Sequence, residues 1–357
     1  MRKYFYLAVG ICFFSSCISS RYQKIHQDAF FVDTHNDVLS TATMNGLNIE
    51  ENLISKTHSD LDRMNKAGID LQIFSVYCDD TYGNGTAYKR AIREIDSLTA
   101  IANRNPTRIK IIHSPSELSR HPKCMQAMMG VEGGHMIEDN LSNIDTFYNR
   151  GARYLTLTWN NSTSWATSAA DESKGNLNGR KAGLNEFGEE VVKKMNKLGM
   201  MVDVSHVGEQ TFWDVIRISS KPVIASHSSV YSLCPVPRNL KDDQIKAIAK
   251  NGGVIHINFN PGFIDKNYNK ETHPARPPIS MIIDHINYIV KLVGIDYVGI
   301  GSDFDGIEET PAEMDGVQDF PKLTKALLKA GYSKADVRKI LGENFLRVYE
   351  KNAITSN

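Results

Sequence analysis

The chain is poor in cysteine, has no excess of either charge, carries no basic run and contains no apolar stretch of ~20 residues. Each shortage removes a class of protein. Cys12 and Cys17 fall near the start, leaving Cys78, Cys124 and Cys234. Three cysteines cannot all pair, so no disulfide framework is implied, and their spacing fits no cysteine-rich zinc site. Each reads as a small buried hydrophobe. The 41 Lys and Arg balance 41 Asp and Glu, which gives no electrostatic footprint for a phosphate backbone and makes nucleic acid an unexpected partner. No repeat of solenoid length is visible, and no composition break marks a linker, so residues 30–357 read as a single domain of catalytic size.

The first residues are set apart. MRKYFYLAVGICFFSSC has two cations, an apolar run from Tyr4 to Phe14, small residues and Cys17, the pattern of an export signal. Ser15, Ser16 and Cys17 resemble a bacterial lipoprotein cleavage box, with Phe14 where a leucine is usual. Residues 1–16 would then be a signal peptide, Cys17 the lipidated first residue and 17–29 a tether. The expectation is an exported chain held by lipid on the periplasmic or extracellular face of a bacterial membrane; simple secretion and a buried first helix are the alternatives.

What the rest of the chain has in abundance is short runs rich in Val, Ile, Met, Leu and Phe. Eight stand out: 30–34, 69–77, 126–132, 153–159, 200–205, 222–226, 253–259 and 297–304. Continuous apolarity over so few residues is what strands covered on both faces require. Stretches of period near 3.6 lie between several of them, at 86–104, 186–199, 241–251 and 280–294. Strand then helix, repeated, predicts a parallel (β/α)8 barrel of the TIM type, an α/β fold. Polar residues stand where the runs break off. His35 and Asp37 follow the first, Glu132 ends the third, His206 follows the fifth and His227 the sixth, while Asp303 falls on the eighth. All would lie at the C-terminal face, where such barrels build their active sites.

Imidazoles together with carboxylates suit Zn²⁺ or a similar borderline cation, whereas Ca²⁺ and Mg²⁺ prefer oxygen throughout. His35 and Asp37 are two apart, so on an extended strand end they would point the same way. Five candidate ligands exceed the need of one tetrahedral catalytic ion, so two Zn²⁺ sharing a carboxylate is the economical arrangement. Glu132 is the natural bridge, and Gly133 and Gly134 after it allow close backbone approach. Ions ~3.5–4 Å apart would acidify a shared water and polarise a carbonyl, which is machinery for amide or ester hydrolysis. His26, His58, His113, His121, His256, His273 and His285 have no such context and read as structural; His135, three residues past Glu132, is the borderline case as a support for the ligands.

DTHND, GVEGGH, DVSH, ASHSS, PRN, GSDFDG and LGENFLRV occur in that order between about residue 31 and residue 350, and they resemble the membrane (renal) dipeptidase family. The resemblance implies a metal-dependent hydrolase barrel with a binuclear zinc site that cleaves dipeptides and tolerates a C-terminal D-residue. By matching motifs, His35, Asp37 and Glu132 would hold one zinc, and Glu132, His206 and His227 the other. Arg238 of PRN would take the substrate's terminal carboxylate. Asp303 of GSDFDG would sit beside the attacking water and pass a proton to the leaving nitrogen, Asp305 sharing its side if the strand continued. Members of the family often pair as homodimers; nothing else in the sequence bears on oligomeric state.

One position departs from the family. Where it has a histidine in a TLTHN segment, this chain reads LTLTWNN, with Trp159 in its place. Indole offers one donor and far more bulk, so stabilisation of the reacting carbonyl weakens unless Asn160 or Asn161 supplies a donor or the preferred substrate differs; residual catalysis is the remaining explanation. The polar stretch 160–183 that follows is long enough to lie over the active site, or else to be a mobile surface loop. Trp159 also keeps two other functions in play. One is a related barrel metallohydrolase acting on another amide, a lactone or a lactam, and the other a lipoprotein that binds peptides without cleaving them.

Overall fold

The computed structural model describes residues 21–354 apart from Asn84 and Asn178, so the signal segment and Cys17 lie outside the described residues. The apolar runs form parallel strands: β1 Val32–Asn36, β2 Leu71–Tyr77, β3 Ile109–Ile111, β4 Met125–Glu132, β5 Ala152–Thr156, β6 Met201–Asp203, β7 Ile224–Ala225, β8 Val254–Ile257 and β9 Val298–Ile300. Eight run in the order β1-β2-β4-β5-β6-β7-β8-β9, and β3 pairs with β4 off this path. β3 was not foreseen, because three residues are too few to show a period. The ring closes just beyond the strand ends, where Asp303 N–H donates to the His35 carbonyl at 3.1 Å and Asp37 N–H to the Phe304 carbonyl at 2.9 Å. The result is the (β/α)8 barrel.

The helices Ala87–Arg104, Glu186–Leu198, Asp242–Asn251 and Ile279–Val293 fall within one residue of the expected ranges at each end. Their limits are chemical. The Asn185 side chain accepts from Gly188 N–H to start one helix, and Gly199 and Gly252 end two in the left-handed region at φ 76° and 83°. Residues 21–28, read as the end of a tether, are instead helical. They are tied down by buried His26, whose ring nitrogens lie 2.7 Å from Thr324 Oγ1 and 2.7 Å from the Ala67 carbonyl.

Period-two alternation sorts each strand into an outer face under the helices and an inner face in the barrel. On β2, Phe74 and Val76 join the outer core, while Leu71 and Ile73 pack inside with Met128, Tyr154, Met201, Ile224 and Val254. On β4, Ala127, Met129 and Val131 are outer, which leaves Met128, Gly130 and Glu132 on the inner face. Glu132 therefore points into the barrel for the same reason that Met128 does. Gly130 between them is required, since a Cβ there would lie 1.9 Å from the Tyr154 ring. Phe345, Leu346, Val348 and Tyr349 of the helix Asn344–Asn352 close the apolar end, and the polar groups gather at the other.

Several strands stop short of their apolar runs, β7 having two residues and β6 and β9 three. Side-chain acceptors replace ladder carbonyls there. Asp203 Oδ1 accepts from Ser205 N–H at 3.0 Å and Ser226 N–H at 2.8 Å, and Asp33 Oδ1 accepts from Ser302 N–H at 2.8 Å. Asp303 is consequently not on the eighth barrel strand but past its end, in a turn.

Candidate metal centre

His35 reaches the interior through an irregularity in β1. Its register against β2 slips between Asp33 and Asn36, where Thr34 and His35 together face Ile73, and such a bulge re-aims a side chain. Asp37 is not extended either; it precedes the short helix Val38–Thr41 at φ −99° and ψ 16°. The two residues converge as expected, but through a bulge and a turn rather than along a strand. His206 and Asp303 occupy the left-handed region at φ 65° and 63°. Non-glycine residues rarely sit there, and they do so mostly where the surroundings over-determine them.

The five candidate ligands meet at one place. His35 Nε2 lies 3.3 Å from Asp37 Oδ2 and 3.2 Å from Glu132 Oε2. The other Glu132 oxygen, Oε1, lies 3.0 Å from His206 Nε2 and 3.4 Å from His227 Nε2, and the two imidazole nitrogens are 2.9 Å apart. Glu132 thus divides its oxygens between a His35–Asp37 side and a His206–His227 side. Ligand atoms of His35, Asp37 and Glu132, and those of Glu132, His206 and His227, lie within 4.8 Å of one another.

Hydrogen bonds behind the ligands set the tautomers. Tyr154 O–H donates to the Thr34 carbonyl at 3.1 Å, so its oxygen accepts from His35 Nδ1 at 2.8 Å. Ser226 O–H donates to Asp203 Oδ2 at 2.6 Å and accepts from His227 Nδ1 at 2.8 Å. The Asn160 carbonyl oxygen takes His206 Nδ1 at 3.1 Å. Each imidazole then carries its proton on Nδ1 and presents the Nε2 lone pair inward. Burial, with Arg238 nearby, lowers His206 to about 4. Burial and the neighbouring His35 depress His227 well below the usual imidazole range. Both rings are neutral near pH 7, as ligands must be.

These residues fit a metal. His35 Nε2 and both Asp37 oxygens are buried without a hydrogen-bond partner, and lone pairs of His206 and His227 face each other across 2.9 Å. Buried acceptors turned on one another are unfavourable unless a cation lies among them. Burial opposes charging His35, yet Tyr154, Asp37 and Glu132 together push it well above its ordinary value.

Above the ligands is a cleft of about 230 Å³ lined by Tyr77, Trp159, Arg238, Phe263 and Asp303, among others. Arg238 Nη2 donates to the His227 carbonyl at 3.2 Å, and its guanidinium lies 5.5 Å from the Phe263 ring centre. Its Nε and Nη1 are buried and unpartnered, so the guanidinium keeps donors free for an anionic group. Asp303 Oδ2 accepts from the Asn258 amide at 2.8 Å, while Oδ1 lies 3.8 Å from His35 Nε2. Asp305, at φ 67°, turns away, and its Oδ1 accepts from His58 N–H at 2.7 Å. Gly306 lets this loop cross the site, since a Cβ there would lie 2.3 Å from Asp37 Oδ2 and 2.6 Å from Asp303 Oδ1.

Other expectations resolve differently. His135 does not touch the ligands; its Nε2 lies 3.1 Å from the Cys78 carbonyl, and its ring packs where a Cβ on Gly133 would be. Among its described residues the stretch 160–183 is anchored rather than loose. Trp165 is buried, and Ser168 bridges Val207 beside His206. The supports Tyr154, Asp203, Ser226 and Asn258 were missed. Each is an ordinary buried polar residue in the sequence, and only the pairing across strands reveals its partner.

Comparison with known proteins agrees with the geometry. A family model described as membrane dipeptidase (peptidase family M19) matches residues 19–357. An uncharacterised dipeptidase of Schizosaccharomyces pombe is 32% identical over 355 residues, covering 94% of this chain and 83% of that protein. A metallopeptidase from Rhodobacter sphaeroides, solved with a phosphinate mimic of the dipeptide L-Ala-D-Ala, is 26% identical with a TM-score of 0.80, covering 91% of this chain and 99% of the other. An amidohydrolase from Pseudomonas aeruginosa is 25% identical with a TM-score of 0.77, covering 93% and 98%.

Proposed function

Because this chain belongs to the membrane dipeptidase family and is a metallo-dipeptidase by that membership, we propose that it hydrolyses dipeptides at a two-zinc centre and accepts a D-residue at the C-terminal position. The observation that carries the two-metal reading is the split of Glu132, one oxygen toward His35 and Asp37 and the other toward His206 and His227. When bound, the ions would supply positive charge that polarises the scissile carbonyl and acidifies the attacking water. The rest falls to side chains. Arg238 holds the terminal carboxylate through its unpartnered guanidinium N–H groups, with the Phe263 ring beside it. Asp303, fixed through Oδ2 by Asn258, has Oδ1 free to carry a proton to the leaving nitrogen. Support for D-residue tolerance comes from the Rhodobacter relative, whose bound mimic is of L-Ala-D-Ala.

The test is turnover of L,L and L,D dipeptides by the zinc-loaded protein beside a chelated control. Cleavage abolished by chelation is expected; no cleavage with two zincs bound would return the reading to another amide, lactone or lactam, or to binding alone. Within that panel, Arg238→Met is expected to lower kcat/KM on the order of 10²-fold or more for dipeptides and to leave dipeptide amides nearly unaffected, since the lost contact is to the free carboxylate. Equal losses on acids and amides would remove Arg238 from that role.

We further propose that the chain is exported and lipid-anchored at Cys17, on the strength of residues 1–17. No helix among the described residues is long and apolar enough to cross a membrane. Cys17→Ser is expected to move the protein from the membrane fraction to the soluble one; unchanged membrane retention would count against the lipid anchor.

A further inference from the structure

On the dipeptidase reading above, we propose that Trp159 and Tyr77 form an aromatic wall that receives the N-terminal side chain of the dipeptide and favours large apolar groups there. Trp159 is half-buried and lines the cleft. Its ring centre lies 5.1 Å from that of Tyr77 at 59°, a favourable tilted pair that holds both rings in place. Tyr77 is the last residue of β2 and is paired in register with Glu132, so the wall rises directly beside the ligand cluster. On its other edge Trp159 comes within 6.5 Å of the His206 ring.

The order of strands around the barrel assigns the wall to one end of the substrate. Arg238 follows β7 and faces Phe263, which follows β8. Tyr77 and Trp159 follow or end β2 and β5, which flank β4 and Glu132. With the carboxylate on Arg238 and the scissile carbonyl over the ligands between, the N-terminal residue has to extend toward β2, β4 and β5. The indole presents carbon faces there and no acceptor. Asn160, the nearest polar neighbour, already uses its carbonyl oxygen on His206 Nδ1. A glycine or alanine side chain leaves this wall uncovered, whereas leucine or phenylalanine removes it from water.

The experiment compares kcat/KM for Gly-Ala, Ala-Ala, Leu-Ala and Phe-Ala, and for Ala-Gly, Ala-Leu and Ala-Phe, using zinc-loaded wild type, Trp159→Ala and Trp159→His. The wild type is expected to prefer Phe-Ala over Gly-Ala by tenfold or more, the order of discrimination an apolar pocket supplies. In both variants that ratio should fall by on the order of tenfold, with the Ala-X ratios unchanged. Because the wild-type ratio is read without any variant, a poorly folding substitution does not shield the proposal. A flat X-Ala series, or a Trp159 dependence confined to the Ala-X series, overturns the wall while leaving dipeptidase activity standing. No turnover of any dipeptide by fully loaded wild type overturns the underlying reading and the wall with it.

Discussion

Glu132→Gln is expected to yield a folded barrel that binds Zn²⁺ on the order of 10²–10⁴-fold more weakly and has no measurable dipeptidase activity. Glu132 is 4% exposed, and its two oxygens face three imidazoles at 3.0 to 3.4 Å. Burial opposes its ionisation, yet His35 above all holds its carboxyl well below the usual range. Removing one charge from a buried cluster costs about 3–5 kcal/mol, which sets the affinity range given. Glutamine keeps the shape and can keep the contact that Ser75 Oγ makes to Oε2 at 3.1 Å, so the fold should survive. Metal analysis after dialysis, with thermal unfolding at rising zinc, reads the result directly. Wild type should gain about 2.7 kcal/mol at a free metal concentration of 100 Kd, and the variant should gain far less at the same concentration. Undiminished loading of two ions in Glu132→Gln would end the bridging assignment.

Asp303→Asn is expected to lower kcat about 10²–10⁴-fold while KM and metal content stay near wild type. The substitution is isosteric, and an amide oxygen can still accept from Asn258, so position is kept and only the exchangeable proton is lost. Burial, with Asp37 and Glu132 adding to it against the pull of His35, raises the Asp303 carboxyl above the usual carboxylate range. The competing role is explicit in the geometry, because ligand atoms of Asp303, His35 and His227 also lie within 4.8 Å of one another. If the variant loses metal in proportion to activity, Asp303 is a ligand and not a proton carrier. Retained metal with a collapsed kcat supports the proton-carrying role of Asp303.

Much of this site is legible in the sequence. Glu132 could be placed because β4 alternates cleanly from Met128 through Gly130, and alternation is a property of the local backbone. His206 and His227 could be placed because their runs end abruptly in polar residues. His35 is the exception among the ligands, since simple alternation from Val32 would turn it outward and the bulge in β1 turns it back. Asp303 and Asp305 could not be separated by counting. The strand ends at Ile300, and two left-handed residues send one carboxylate to His35 and the other to His58.

By itself, then, the sequence determined the parallel barrel, the face that carries the chemistry and the residue types gathered there, because strand period, strand ends and side-chain identity are all local. Tertiary structure decided which atoms face which. The proton on His35 Nδ1 is held by Tyr154, 119 residues away, and Asp203 reaches His227 through Ser226 across two strands. The aromatic wall joins Tyr77 to Trp159 across β4. Such contacts depend on how the closed ring staggers its strands against one another, a sum over all eight pairings that no single segment carries.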